Sequence, residues 1–551
     1  MQGVALLTQS LSLTAAAVGA MTVGAGASCK CFPGDACWPS EATWTRLNVT
    51  VGGRLVATVP LGSPCHDPTY DEQACAGLRD QWLDSGIHMQ SSSSVMAPFF
   101  ANQSCDPFQP RDTPCTLGNY VRYAVNATGP ADVQAAVKFA QDNDVRLVIR
   151  NTGHDYLGRS TGAGSLSVWT HYLKDIELID DWQDDDGVFT TGQKAFRVGA
   201  GVQGFETSRR GRPRGPGGRD GRVPDEGARR RLPARRRPFG AEHAVRSRAG
   251  QSGCVRIRHG RWRIGDRFSF RKRRPLLGAE RRGPGNYGIV TAVTVMAHPD
   301  RTVSGLSFSL STTDSEAVYS VIDAFHEQLP DIVDAGTMVI YFFGSSFFNI
   351  PALTAYDMPQ THMEGVMAPF FAKLDSLGLA YSVGTAQYGG RLIQRSQLGN
   401  FSGAARALAE QGVTFIGVGT NVSAHSGGRP GRDNNKNAVL PAWREAIVSA
   451  TLSLPWNFTA PWAEALATQR EMTEVVQPII EAATPGSGAY MNEADFRQPD
   501  FQEAFFGTVN YPKLLEIKRK WDPRGLFYAT AAVGSEAYTV LDDGRLCTAA
   551  S

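Results

Sequence analysis

Val148-Ile149-Arg150-Asn151-Thr152-Gly153-His154-Asp155-Tyr156-Leu157-Gly158-Arg159-Ser160-Thr161-Gly162-Ala163-Gly164 is the stretch of this 551-residue chain that says most about it. A short apolar run opens into a loop with glycines at 153, 158, 162 and 164, and with hydroxyls and an arginine between them. Glycines let successive backbone N–H groups converge on an anion such as a pyrophosphate, and Arg159 offers positive charge to it. Upstream, Thr128 is expected to cap a helix with Pro130 in its first turn, and Val133, Ala136, Val137 and Ala140 share one face. Asp142-Asn143-Asp144 closes that helix, and Val145–Ile149 reads as a buried strand. Helix, strand and glycine-rich loop in this order depart from the Rossmann fingerprint, because no second helix starts on the loop. Composition alone leaves a phosphate-binding loop and an ordinary surface turn equally open.

The octet Val148–Asp155 with Gly158-Arg159-Ser160 resembles the flavin-anchoring loop of the secreted berberine-bridge-enzyme-like oxidases, members of the vanillyl-alcohol-oxidase superfamily with a PCMH-type FAD domain. The resemblance implies FAD as cofactor, bonded covalently through its 8α-methyl group to His154, with Arg150, Asn151, Thr152, Gly153, Gly158, Arg159 and Ser160 around it. Gly283-Pro284-Gly285-Asn286-Tyr287-Gly288-Ile289-Val290-Thr291 resembles the family's second glycine loop, which brings Gly288 and Val290 to the cofactor and continues into a strand at Val293–Met296. Tyr490-Met491-Asn492-Glu493-Ala494-Asp495, Asn510-Tyr511-Pro512-Lys513-Leu514 and Trp521-Asp522-Pro523 resemble its terminal berberine segment. There a Tyr-x-Asn strand faces the isoalloxazine, which gives Tyr490 a role in proton abstraction and places Asn492 beside the flavin. Read from the residues alone, Leu514, Ile517 and Trp521 line one helical face that Asp522-Pro523 ends.

The fold class this implies is α+β: a two-subdomain PCMH-type FAD-binding domain plus a substrate domain with an antiparallel sheet covered by helices. The chain divides into a signal peptide (1–27), a Cys-rich extension (28–115), the FAD domain (116–299), the substrate domain (300–470) and a C-terminal segment (471–551) that returns to the FAD domain. Within the substrate half, Val303–Leu310 alternates as a strand, Ser315–Leu329 reads as a helix, and Thr337–Phe343 and Thr414–Val418 as further strands. Gly427–Arg432 and Asn434–Asn437 read as loop, and Glu471–Ala483 as a helix broken or kinked at Pro478.

Met1–Ala27 carries no charged residue, has an apolar run at Leu11–Val23 and ends in the small-x-small pattern of Ala25-Gly26-Ala27, so secretion is expected. Asn48, Asn102, Asn126, Asn400, Asn421 and Asn457 open glycosylation sequons. Seven of nine cysteines fall between Cys29 and Cys115; setting Cys254 aside leaves eight, a number suited to four disulfides whose pairing the sequence leaves open. Zinc does not fit the Cys29-x-Cys31 spacing, and no metal site is expected. Composition excludes a collagen, a coiled coil and a polytopic membrane protein. The reaction implied is oxidation of a small organic substrate, with hydride passing to the flavin and O2 reoxidising it, in the manner of a fungal-type secondary-metabolite oxidase. A carbohydrate oxidase is the alternative within the same chemistry.

Net charge is +2, yet Glu206–Gly283 holds 24 Arg and one Lys against seven acidic residues, and the rest of the chain is acidic. Taken literally, the block suits a polyanion-binding segment, including nucleic acid, and its self-repulsion and weak periodicity predict disorder or poor packing. In the resembled family this interval holds Cys-Pro-Thr, Gly-Gly-Tyr, Gly-Gly-Gly-His and Asp-Leu-Phe-Trp, which wrap the flavin, and the cysteine can form a second bond at flavin C6. Shifting the reading by one nucleotide recovers them. Arg235–Phe239 read as CGG CGG CGG CCA TTC becomes Gly-Gly-Gly-His-Ser, Arg222–Leu232 is compatible with Glu-Cys-Pro-Thr-x-Gly-Leu-Ala-Gly-Gly-Tyr, and Pro275–Gly283 with Asp-Leu-Phe-Trp-Ala-Leu-Ser-Gly-Gly. Three segments that match the expected motifs, in order and in one frame, point to an out-of-frame interval at about 207–283, and a non-catalytic polyanion-binding protein is the rival. Sequencing the gene decides between them: the alternative frame is expected to read from codon 207 to 283 without a stop, and a stop codon there removes the idea.

Overall fold

The computed structural model describes residues 28–182, 193–210, 252–258, 286–297, 303–377, 390–394, 398–421 and 438–549. The leader, most of the arginine-rich interval and the expected loops at 427–432 and 434–437 lie outside the described residues.

The first sheet is built from β1 (Leu55–Ala57), β2 (Tyr123–Asn126), β3 (Leu147–Arg150) and β4 (Leu166–Trp169) in the order β1-β2-β4-β3. β4 pairs in parallel with both β2 and β3, which requires a crossover, and helix Pro130–Asp142 supplies it. Val133, Ala136, Val137 and Ala140 bury the expected face against Val125, Leu147, Leu166 and Val168, and Trp44 of helix Glu41–Thr50 joins them. The cap differs from expectation. Gly129 is the N-cap residue, and the Asp132 carboxylate accepts from the Gly129 and Thr128 amides at 3.2 and 2.9 Å. The Thr128 hydroxyl, expected to accept at the cap, instead donates to the same Asp132 carboxylate at 3.1 Å.

The second sheet has the order β5-β6-β8-β7, from β5 (Ile176–Trp182), β6 (Gln193–Gly199), β7 (Ser252–Arg258) and β8 (Ile289–Met296). All its pairs are antiparallel. β8 begins four residues before the expected strand, and β7 falls inside the arginine-rich interval. Within that interval residues 252–258 pair along β8 from Ser252↔Val295 to Arg258↔Ile289.

The third sheet is fully antiparallel, in the order β12-β14-β13-β10-β11-β9. Its strands are β9 (Val303–Ser311), β10 (Thr337–Gly344), β11 (Phe347–Tyr356), β12 (Gly390–Gln394), β13 (Thr414–Gly419) and β14 (Ala446–Ser453). Helices Ser315–Asp334, Gln360–Leu377 and Leu398–Ala409 bury Phe325, Leu329, Met363, Phe370, Ala405 and Leu408 in one core with Leu310, Tyr341, Phe348 and Phe415 of the sheet. The α+β architecture with two smaller sheets and a helix-covered antiparallel sheet is as expected. The first of these helices outruns its expected end at Leu329, since Ile332 and Val333 extend the apolar face and are fully buried.

Helix Trp462–Glu471 passes through a π turn at Met472–Val476 into helix Gln477–Ala483. The break expected at Pro478 takes this form: proline has no N–H for the carbonyl four residues back, and the wider turn just before it absorbs the mismatch. Helix Asn510–Trp521 buries Leu514 and Ile517 as expected. The eight cysteines form Cys29–Cys547, Cys31–Cys37, Cys65–Cys75 and Cys105–Cys115. Cys31 and Cys37 lie beside Asp35, but their bond leaves no thiolate pair for a metal. The sequons are not equivalent. Asn457 is exposed in a turn where its Oδ1 accepts from Thr459 N at 3.0 Å, whereas Asn126 lies in β2 with its Oδ1 buried.

Inside the large core His326 bridges three elements: Nδ1 is 2.6 Å from Ser402 Oγ and Nε2 3.0 Å from Tyr341 OH. Burial holds the ring neutral, with its pKa pushed down to about 3 from 6.5. The unfolded chain takes up that proton between pH 6.5 and 3 and the folded chain does not, so stability falls as pH drops through this window. His326→Gln is expected to cost about 1–3 kcal/mol at pH 7 through disturbed hydrogen bonds, and to flatten the loss of stability between pH 6 and 3 in denaturant titrations. An unchanged acid slope rules this out.

Candidate cofactor site

The glycine loop runs from the end of β3 to the start of β4, and two arginines fix it from opposite sides. Arg150 has no exposed surface; its Nη2 donates to His88 O at 2.9 Å and its Nε to Ser91 O at 3.2 Å, both in the Cys-rich extension. Burial lowers its pKa to about 10, opposed by the Asp155 and Tyr120 charges, so it stays a cation at neutral pH. Arg159 donates from Nε to Thr530 O (2.8 Å), from Nη2 to Ala531 O (3.1 Å) and from Nη1 to Met491 O (3.2 Å). Its guanidinium is thus committed to backbone carbonyls of the C-terminal segment rather than set out toward an anion.

Between the arginines, Gly153 has φ +78°, and a Cβ there would lie 2.3 Å from Arg150 Nη1. Gly158 has φ +69°, with the Phe100 ring 2.4 Å from any Cβ. Both positions demand glycine for conformation and for space. Asp155 gathers the far side of the turn: Oδ1 accepts from Leu157 N at 3.2 Å, and Oδ2 from Ser160 N at 3.1 Å and from Arg159 N. Three amides expected to face a phosphate, Ser160 among them, are held by a carboxylate of the loop itself. His154 is exposed, with its ring 5.5 Å from that of Tyr156 and its amide donating to Thr152 Oγ1 at 3.3 Å.

The second sheet meets this loop through a turn that sequence reading passed over, Gly199-Ala200-Gly201. Asn151 Nδ2 donates to Ala200 O at 2.9 Å, and Ala200 N donates to Thr291 O at 3.0 Å. Two hydrogen bonds therefore join the first glycine loop to the start of β8, beside Val290 and the buried Gly288. A Cβ on Gly201 would lie 2.1 Å from His171 O. The signal available in the sequence was a Gly-x-Gly immediately after an alternating strand.

Tyr490 and Asn492 lie in an irregular turn, not the expected strand. Glu493 N donates to Tyr490 O at 2.8 Å, Asn492 Nδ2 to Tyr490 OH at 3.1 Å, and the Trp443 ring stands edge-on to Tyr490 at 5.7 Å. Arg159 on Met491 O ties this turn to the glycine loop. A dinucleotide cofactor fits these surroundings. Arg150 Nη1 and Asn151 Oδ1 are buried and unpaired beside the glycine loop, and two glycine-bearing segments converge there.

Residues 121–215 match the family model described as "FAD binding domain", and residues 489–534 match "Berberine and berberine like". FAD-linked oxidoreductase ZEB1 of Gibberella zeae is 45% identical over 580 residues, covering 99% of this chain and 98% of that protein. FAD-linked oxidoreductase sor8 of Hypocrea jecorina is 37% identical, covering 99% and 98%. Among solved structures, the VAO-type flavoprotein MtVAO615 of Myceliophthora thermophila C1 superposes with a TM-score of 0.80 at 30% identity, covering 95% of this chain and 100% of that one.

Glu493 adds a pH signature to this site. Burial raises its carboxyl to about 7 from 4.5. Between those values the folded chain keeps a proton that the unfolded chain has released, so this group lowers stability as pH rises from 4.5 to 7. Glu493→Gln is expected to raise Tm at pH 8 and leave it unchanged at pH 4 by calorimetry; an equal shift at both would show that the carboxyl is not held neutral.

Proposed function

This chain belongs to the FAD-linked oxidoreductases of the berberine-bridge-enzyme-like, vanillyl-alcohol-oxidase type, and we propose that it is secreted and oxidises a small organic molecule of fungal secondary metabolism, with FAD bonded to His154 and O2 as electron acceptor. The observation that carries this is His154 itself: an exposed imidazole at the tip of a loop whose two flanking arginines, Arg150 buried and Arg159 half-buried, hold backbone carbonyls. Bound FAD supplies a ring that accepts hydride from substrate and passes the electrons on.

The chain's own residues do the rest. Tyr490 takes the proton from the substrate in its phenolate form, and Asn492, donating to the same oxygen, stabilises the negative charge there until the proton arrives. Trp443 walls the ring of Tyr490. Arg150 and Arg159 keep the loop at a set position between the Cys-rich extension and the C-terminal segment. Four disulfides and six sequons support an oxidising, extracellular setting, and no helix among the described residues is long and apolar enough to cross a membrane.

The interval at about 207–283 bears on activity. The FAD-domain match ends at residue 215, inside the arginine-rich block, and the family's expected motifs are missing between there and residue 283. These facts support the out-of-frame reading, under which the chain as written holds FAD poorly. Expression of the chain as written and of a frame-restored version is expected to give a yellow, trichloroacetic-acid-stable flavin only in the latter, lost in its His154→Ala variant, and peroxide on phenolic or polyketide substrates in preference to sugars. Equal flavin in both versions refutes the frame reading; acid-released flavin in the restored enzyme refutes the covalent one; and preference for sugars refutes the substrate class.

A further inference from the structure

Neither ring nitrogen of His154 has a hydrogen-bond partner among the described residues, so the aim of the imidazole is set by its backbone and by the Tyr156 ring 5.5 Å away. On the N-terminal side that backbone is held by Gly153, wedged over Arg150, and by Thr152 Oγ1 accepting from His154 N. On the C-terminal side one group does the holding. The Asp155 carboxylate receives Leu157 N at 3.2 Å, Ser160 N at 3.1 Å and Arg159 N, closing a turn of five residues on one side chain. The same carboxylate is the charge that offsets two buried guanidiniums, since Asp155 opposes the effect of burial on both Arg150 and Arg159.

We propose that Asp155 is the positioning residue for attachment of the flavin to His154: its carboxylate fixes the turn that presents the imidazole to the flavin 8α-methyl carbon. The inference rests on the covalent reading of His154 given above and names the residue on which that reaction depends. In the attachment, the imidazole nitrogen gives up its proton and bonds to the 8α carbon, which loses one hydrogen. The flavin ring is left two electrons richer, and O2 takes those two electrons and two protons to form hydrogen peroxide. Asp155 exchanges no atoms in this step. It removes the freedom of a loop tip whose reacting nitrogen must meet a carbon at bonding approach, where a misplacement of about 1 Å costs on the order of a hundredfold in rate.

A carboxylate collecting three amides satisfies donors within the loop itself. Backbone N–H groups converging on an anion form a nest, and here the anion is built in. The isosteric Asp155→Asn keeps one acceptor oxygen and loses the charge; Asp155→Ala loses both.

Two measurements test the proposal. In the chain as written, amide hydrogen exchange at Leu157, Arg159 and Ser160 is expected to quicken about tenfold or more in Asp155→Asn, with the β2 and β4 amides unchanged; unaltered exchange at these three amides overturns the built-in nest. In the frame-restored full chain, apo protein is mixed with saturating FAD, and total bound flavin is compared with the trichloroacetic-acid-stable fraction over time. Asp155→Asn is expected to bind FAD yet form the acid-stable product at least about tenfold more slowly, with Asp155→Ala slower still. A merely structural role would lower total and acid-stable flavin together, and that result, or equal attachment rates, overturns the proposal. Acid-released flavin in the unsubstituted protein instead overturns the covalent reading of His154, a failure distinct from either.

Discussion

Arg159 is the constraint around which the site is organised. Its guanidinium sits inside the protein and spends its donors on the carbonyls of Met491, Thr530 and Ala531, more than 300 residues away in sequence. A buried cation is tolerable only when its donors are satisfied and an opposite charge lies near, and the carbonyl dipoles and Asp155 meet both needs. Because those carbonyls belong to the segment that carries Tyr490, the loop that presents His154 and the turn that presents the phenol are parts of one rigid assembly. Lysine would not substitute, since a single ammonium cannot reach three carbonyls in a fixed fork.

A second buried cation repeats the device at the other glycine segment. Lys518 Nζ donates to Asn286 O at 2.6 Å, Phe527 O at 2.7 Å and Asp522 Oδ2 at 2.7 Å, while Asn286 Nδ2 donates to Val533 O at 2.8 Å. The Asp522 carboxylate also accepts from Leu526 N and Phe527 N at 2.8 and 2.9 Å. The helix stop read as Asp522-Pro523 is thus also a charge pair that pins the start of β8. Chain ends are drawn into the same region: Cys29–Cys547 joins them, Arg146 Nη1 reaches Gly544 O at 3.3 Å, and Phe32 packs against Gly164. The site is braced on every side by segments distant in sequence.

Much of this was legible where the sequence states its structure locally. The octet at 148–155 spells a strand and a glycine turn; Pro478 has to break a helical ladder; and the strand at 303–311 carries its apolar residues at strand spacing. Less visible was whatever depends on distant backbone. Arg159 reads as charge for an anion because its carbonyl partners leave no mark on side-chain chemistry. Tyr490 reads as a strand residue, yet Ala489 N bonds Ala504 O and the Tyr490–Glu493 turn closes behind it, so no ladder forms. β14 is buried on nearly its whole length and shows no alternation, and the helix Gln360–Leu377 carries Gly365 and Pro369, which hide its period. The Cys-rich extension reads only as a disulfide framework, although its His88 and Ser91 carbonyls hold Arg150.

The same pattern of braces explains how a recognisable flavin-anchoring loop can stand beside an interval that spells none of the expected motifs. Among the described residues, the groups that shape the loop come from 88–100, 119, 491 and 530–531, all outside 207–283. The second sheet reaches the loop through Asn151 and Ala200, and Ala200 in turn rests on β8, where the chain has left the arginine-rich interval. The described braces on the His154 turn therefore lie outside the interval, whereas the motifs expected inside it are the ones that wrap the flavin in the resembled family. A frame error confined there would leave the attachment residue correctly built and the cofactor poorly enclosed, a combination that separates damage to this interval from a loss of the loop itself.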